Sequence, residues 1–278
     1  MILRPFHYLG TNITFADLGG LHLTQTYYDA YQTQPWHCHE TPNFFFLLGG
    51  RFIDESQELG QATPASYSLV YHPAGARHRS FAGPAGRFGL NIEPTPDWLA
   101  RFHLSESDLG QYRVQQDARA CLTLLDLSLR FFSRQEAADA TFEALLSESL
   151  TGAVPEVRES PVWFQRLERR LADEACRWTL ATLSAEVGVH PVYLARVFRQ
   201  RYGTSVTQHL HRLRLLHATS QMVSGMDLTQ AALEAGFADH AHFARSFRKA
   251  FRRTPSQARF LLNKAACFPY PSSKDSMQ

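Results

Sequence analysis

The sequence predicts an α+β chain of two domains: an N-terminal β-barrel with trailing helices, then an all-α domain with two helix-turn-helix units. Three observations carry this. The first hundred residues alternate apolar and polar positions between closely spaced Pro and Gly. From about Asp117 the apolar spacing changes to three and four. Between Leu180 and Arg259 one short pattern is written twice.

At 278 residues the chain can hold two cores, and 44% hydrophobic with 19% charged residues is ordinary for a globular protein. In the barrel region Leu21–Tyr28 alternates as a half-buried strand does. Asn43-Phe-Phe-Phe-Leu-Leu-Gly49-Gly50 predicts an apolar strand ended by a Gly turn, and Arg51–Glu58 and Tyr67–His72 are further strands. Many short strands with recurrent turn residues point to a sandwich or barrel.

Leu122, Leu125, Leu129 and Phe132 then form one helical stripe, and Phe142, Leu145, Leu146, Ser149 and Leu150 a second. The segment 113–152 is therefore expected to be helical and to pair with a second copy, giving a homodimer. A Pro-bearing linker is expected over 153–161, the second domain over 162–264, and a disordered tail over 265–278.

No stretch reaches the run of about 18 apolar residues that a membrane span needs, and the N-terminus lacks a signal-peptide core. Cys38, Cys121, Cys176 and Cys267 are scattered, which predicts free thiols and a cytoplasmic location. A net charge of +2 hides an asymmetry: residues 1–160 hold 11 Lys/Arg against 18 Asp/Glu, a balance of −7, and residues 161–264 hold 16 against 7, a balance of +9. Only the second part is suited to a polyanion.

In the repeat, Leu180, Glu186 and Gly188 recur 48 positions later as Leu228, Glu234 and Gly236, while Leu194, Arg196, Phe198 and Arg199 recur 49 later as Phe243, Arg245, Phe247 and Arg248. Each copy predicts a short helix, a Gly turn and a second helix. Ser205-Val-Thr-Gln208, Asp227-Leu-Thr-Gln230 and Thr254-Pro255-Ser-Gln257 are helix-start signatures. Phe198, Phe237, Phe243, Phe247 and Phe251 are spaced as core, not as base-stacking platforms.

Two resemblances follow. Trp36-His37-Cys38-His39 and Pro73-Ala-Gly75-Ala-Arg-His78 resemble the two motifs of the cupin barrel, so the N-terminal domain, residues 1–112, is expected to be cupin-like. That resemblance implies that His37, His39 and His78 meet inside the barrel, as ligands of a divalent metal or as lining of an effector pocket with Trp36, Phe44 and Phe46. The carboxylate the family adds falls on Phe44, and its Asn on Ala82. The regulator reading requires no cofactor.

Gly188 with Leu194–Arg199 and Gly203-Thr-Ser205, then Ala231–Phe237, His242–Lys249 and Thr254–Arg259, resemble the double helix-turn-helix domain of the AraC/XylS family, departing at Ala258, where the family has an aromatic. The resemblance implies groove-facing Val192, Ala195 and Arg196 in the first unit and His240, His242, Ala244 and Arg245 in the second. Arg196 and Arg245 are expected on guanine. Arg199, Arg201, Arg248, Lys249, Arg253 and the helix start at Ser205 are expected on phosphates.

The expected function is a non-enzymatic, sequence-specific transcriptional regulator, activator or repressor. Its partners would be double-stranded DNA, a small-molecule effector, a second copy and RNA polymerase, with no membrane. The rival is a metal-dependent cupin oxygenase or isomerase with an appended helical domain.

Overall fold

In the computed structural model, residues 1–58, 60–134, 140–151, 161–174 and 178–266 are described. Most of the expected linker, the tail beyond Ala266, Cys176, Cys267 and the side chains of Phe142 and Leu145 lie outside the described residues.

Two long antiparallel strands, β5 (Asn43–Ser56) and β8 (His78–Pro94), organise the N-terminal half. At one end β8 pairs with β4 (Thr33–His39), β1 (Ile2–Leu3) joins β4 in parallel, and β5 pairs with β6 (Gly60–Ala62). At the other end β8 pairs with β3 (Leu21–Tyr28) and β3 with β2 (Thr11–Asp17). There β5 pairs with β7 (Leu69–His72), and β7 with β9 (Arg113–Gln115). The nine-stranded sheet folds over a shared interior, but its pairing path runs open from β1 to β9 rather than closing into a ring.

β5 changes from one end to the other at Gly49-Gly50. Its register slips between Leu47 and Gly49 and again between Gly50 and Phe52. Gly50 has φ +83°, and a Cβ there would collide with the carbonyl of Gly86. The turn expected to end the strand is thus an irregularity through which the strand continues to Ser56. Inward and outward positions change parity across it. Phe45 and Leu47 share the interior cluster with Phe52, whereas Phe44, Phe46 and Leu48 belong to the opposite, outer face.

That outer face is roofed by helices. Phe44, Phe46, Tyr71, Leu90 and Ile92 form one core with Trp98 of α1 (Pro96–Ala100), Leu124, Leu125 and Leu129 of α2 (Ala118–Phe132), and Leu146 and Leu150 of α3 (Ala140–Thr151). Asp117 starts α2 by accepting from the amides of Arg119 and Ala120 at 3.0 and 2.9 Å. The stripe expected to meet a second copy is filled inside the chain: Leu125 and Leu129 are fully buried, with Leu122 and Phe132 packed against the same core. An apolar stripe specifies burial, not the partner that provides it. β9 carries the sheet past the expected boundary at 112, and the helical domain runs on to Ala266, past the expected tail start at 265.

The C-terminal half comprises α4 (Val162–Glu174), α5 (Leu180–Val187), α6 (Pro191–Tyr202), α7 (Val206–Val223), α8 (Leu228–Glu234), α9 (His240–Phe251) and α10 (Pro255–Ala266). Gly188 ends α5 in the left-handed region at φ 72°. Ser205, Asp227 and Asp239 cap α7, α8 and α9. Gln257 and Thr254 cap reciprocally at the start of α10, with Gln257 N donating to Thr254 Oγ1 at 3.2 Å. The first unit has its own core of Phe164, Leu167, Leu183, Leu194, Phe198 and Leu210. The second, with Phe237, Phe243, Phe247 and Phe251, is continuous with the roofed face of the sheet. α2 packs on α7 and α10, and Gln25 Nε2 donates to Ala265 O at 2.8 Å.

Candidate nucleic-acid interface and buried histidine cluster

α6 and α9 are built alike. Leu194 and Phe198 anchor one, and Phe243, Phe247 and Phe251 the other, at four-residue spacing on one face. The opposite faces stay in solvent. Val192 is 70% exposed at the second position of α6, where His190 Nδ1 accepts from its amide at 3.3 Å. Arg196 and Arg199 are exposed and Ala195 half-buried. On α9, His240, Arg245, Arg248 and Lys249 are exposed and Ala244 half-buried. Arg196 lies against the Tyr193 ring at 5.4 Å. Among the described residues no hydrogen bond or ion pair holds the side chains of Arg199, Arg245, Arg248 or Lys249. A cationic face without internal partners is the arrangement needed to meet phosphates and base edges.

Several expected contacts sit elsewhere. Arg201 is nine residues from Val192, about half a turn out of phase at ~3.6 residues per turn. Its guanidinium lies 5.1 Å from the Phe164 ring and 3.5 Å from Glu168. Arg253 Nη2 donates to Ser133 Oγ at 2.7 Å, at the end of α2, so it is engaged by the N-terminal half. The helix start at Ser205 stays where it was expected, with Ser205 N donating to Gln208 Oε1 at 3.3 Å and Gln208 N to Ser205 Oγ at 3.2 Å. His242 is half-buried, its ring edge-on to Phe237 at 5.3 Å. Counted from the caps His190 and Asp239, the α9 counterpart of Val192 is Ala241, which is exposed, and that of His242 is Tyr193. The 49-residue register contained this signal: the residue gained in the second turn becomes the cap Asp239.

Inside the folded sheet, His37, His39 and His78 do converge, with potential ligand atoms within 4.8 Å of one another. Ring centroids lie 4.2 Å apart for His37–His78 and 5.3 Å for His39–His78. His37 and His78 donate Nδ1–H to the carbonyls of Pro35 and Ala76 at 2.8 and 3.4 Å, leaving Nε2 of each as a lone-pair donor. Burial pushes His37 below the usual imidazole range and His39 and His78 well below it, His72 adding to the effect, so the rings are neutral.

Two residues that sequence reasoning missed complete the cluster. His72 stacks on His78 at 3.7 Å, and Asp54 shares a second possible ligand set with both. His72 Nε2 and Tyr112 Oη both donate to Asp54 Oδ2 at 2.9 Å. Burial alone would raise the Asp54 pKa, but His72, Tyr112 and Arg87 together hold it below the usual carboxylate range. The buried Arg87 is itself held by Gln34 and Ser80 at 2.7 and 2.9 Å and by the Tyr28 and Phe52 rings.

Three expected pocket residues are not in this interior. Trp36 alternates with His37 and takes the outer face of β4 under Arg79. Phe44 and Phe46 face the helical roof, and Phe45 and Phe52 line the interior instead. The interior cavity is about 20 Å³, room for one water or one ion. A separate crevice of about 1960 Å³ opens between the sheet and the helical domain. Its charges are of both signs, Arg119 and Arg212 beside Asp117, Glu148 and Glu234, and form no convergent set.

A family profile described as a helix-turn-helix domain matches residues 183–260, from α5 into α10. The virulence regulon transcriptional activator VirF of Yersinia enterocolitica is 31% identical over 97 residues, 34% of this chain and 36% of that protein. The uncharacterized HTH-type transcriptional regulator YijO of Escherichia coli is 25% identical over 241 residues, 78% of this chain and 81% of that protein. The crystal structure of ToxT from Vibrio cholerae O395 superposes with a TM-score of 0.38 at 14% identity, over 87% of this chain and 98% of that one. The chain spans about a third of the length of VirF. No helix among the described residues is long and apolar enough to cross a membrane. Over residues 183–260 the chain therefore carries a helix-turn-helix domain.

Proposed function

We propose that the chain is a sequence-specific DNA-binding transcriptional regulator acting in the cytoplasm, with no catalytic step of its own. The observation that carries this is the pair of helices α6 and α9, each anchored by buried Leu or Phe and each presenting an outward Arg, Arg196 and Arg245. The +9 balance of residues 161–264 supports it, as do the regulator names of the relatives. The N-terminal domain is the effector domain in this reading. An effector acts by binding one arrangement of the two halves more tightly than another. RNA polymerase and a second copy are further partners; with α2 roofed over, a dimer would have to use a surface other than that stripe.

Selection of bound fragments from a random DNA pool tests this directly. The expected result is a bipartite consensus whose halves respond separately to Arg196→Ala and Arg245→Ala. Binding that falls steeply with salt but enriches no sequence would overturn it.

A further inference from the structure

Resting on this regulator reading, we propose that Tyr193 and Trp163 are specificity-determining residues of the first unit. Their ring pair holds the face of the Arg196 guanidinium and leaves its donor edge ready for a guanine, while Arg245 of the second unit has no such brace.

The line of contacts starts in a core. Trp163, the second residue of α4, packs on the core of the first unit and lies edge-on to Phe164 with 5.3 Å between ring centroids. The Tyr193 ring lies 5.7 Å from Trp163 at 53°. Arg196 stands three residues after Tyr193, on the same helix face, and its guanidinium carbon is 5.4 Å from the Tyr193 ring centroid. Tyr193 is exposed, and its hydroxyl has no hydrogen bond among the described residues. The ring, not the hydroxyl, is what the fold uses.

How Arg196 is held decides what it can read. A planar guanidinium is fixed either through its N–H edge by a carboxylate or through its face by a ring. Arg166 and Arg170 are held the first way, donating to Glu186 Oε1 at 3.0 and 2.9 Å. Those bonds engage donors that a base would need. Arg196 is held the second way, and among the described residues no hydrogen bond or ion pair engages its N–H groups. Guanine O6 and N7 require two donors from that edge. A side chain ordered before DNA arrives also loses less freedom on binding.

The second unit is built differently at the same place. Tyr193 recurs as His242, whose ring turns to Phe237 at 5.3 Å and stacks with His211 of α7 at 6.4 Å. Among the described residues no ring contact holds Arg245. Trp163 lies upstream of the repeat, so the repeat has no counterpart of it. Two arginines at equivalent positions therefore differ in how far they are ordered before DNA binds.

The full chain is assayed by fluorescence anisotropy on the selected fragment and on fragments changed at the base read by Arg196 or at the base read by Arg245, with urea unfolding in parallel. Tyr193→Phe should bind as the wild type does. Tyr193→Ala should lower affinity for the selected fragment by about 2- to 5-fold, the equivalent of an exposed cation–ring contact of ~0.5–1 kcal/mol at ~1.4 kcal/mol per decade. Discrimination at the Arg196 base should fall by the same factor and discrimination at the Arg245 base should not change. Trp163→Ala should act in the same direction and more weakly. In an Arg196→Ala background Tyr193→Ala should have no further effect, because both changes remove one interaction. An undiminished loss in that background shows that Tyr193 touches DNA itself and overturns the brace, as does a loss in Tyr193→Phe. A loss equal at both bases, with a lowered unfolding midpoint, shows a merely structural role and overturns it too. Unchanged discrimination in folded Trp163→Ala removes Trp163 from the assignment. A chain that selects no DNA sequence refutes the regulator reading and the brace with it. A chain that selects a site at which Arg196→Ala relaxes one base and Tyr193→Ala relaxes none refutes the brace alone.

Discussion

Arg245 and Arg201 occupy equally basic sequence contexts, and the structure separates them. Arg245 is exposed on α9 and has no hydrogen bond or ion pair among the described residues. Its removal should therefore change folding stability by less than about 0.5 kcal/mol. If its guanidinium donates to guanine O6 and N7, Arg245→Ala costs about 1–3 kcal/mol of binding. That is roughly a 5- to 150-fold loss at ~1.4 kcal/mol per decade. Arg201 sits against the Phe164 ring and Glu168, so Arg201→Ala should lower stability by about 0.5–1 kcal/mol and affect DNA affinity less than Arg199→Ala does. The assay is fluorescence anisotropy on the selected fragment and on fragments altered at each base, with urea unfolding in parallel. The Arg245→Ala loss should vanish on the fragment that lacks the contacted guanine, because the two changes remove one interaction. An equal loss on every fragment would make Arg245 a phosphate contact. A large fall in the unfolding midpoint would show that its exposure has been misjudged.

Three further outcomes follow from named groups. Lys249→Ala, which removes an exposed cation at the end of α9, should weaken binding evenly across sequences and flatten the log–log salt slope by about one unit; a loss confined to some sequences would contradict this. Gly50→Ala should cost at least about 1–2 kcal/mol from the left-handed backbone alone, plus the collision with Gly86, and calorimetry would reveal an unchanged transition if the crossing were relaxed. His209 is buried between Phe198 and Tyr202, and burial holds it below the usual imidazole range. Its contribution is complete above the unfolded value of about 6.5 and is lost as pH falls through the folded value, at up to ~1.4 kcal/mol per pH unit. His209→Gln should flatten that part of the acid limb in urea titrations, and the same acid sensitivity in the variant would exclude His209 as its source.

What was legible in the sequence was local. Helix starts, Gly turns and the outward Arg of each unit are set by residues within one or two turns, so the register between repeats located Arg196 and Arg245. His37, His39 and His78 were legible through their spacing. Arg201 and Arg253 were not, because Glu168 and Ser133 lie 33 and 120 residues away in the chain, and only packing brings them near. The inward side of β5 was misread for a different reason. The irregularity at Gly49-Gly50 adds a residue and inverts the alternation, which sends Phe44 and Phe46 to the roof and turns Asp54 inward. Trp36 is the exception, since alternation with His37 alone excludes it from the interior.

The division of the core bears on how such a regulator transmits a signal. The outer face of the sheet, α2 and the second helix-turn-helix unit share one continuous core, while the first unit is built on a separate one. α7 contributes to both, with Val206 and Leu210 in the first core, Leu215 to Met222 in the second, and Leu213 packed against each. The joint therefore falls near Leu213, inside a single helix, rather than between the N-terminal and C-terminal halves of the chain. A rearrangement of the roofed face of the sheet meets α7 and α10 through α2, and these share one packed core with α9 that moves between discrete arrangements rather than bending continuously. Among the described residues α6 packs on α5 and α7. Effector control in this architecture would then act on the placement of the second recognition helix relative to the first, which is the quantity a bipartite site reads.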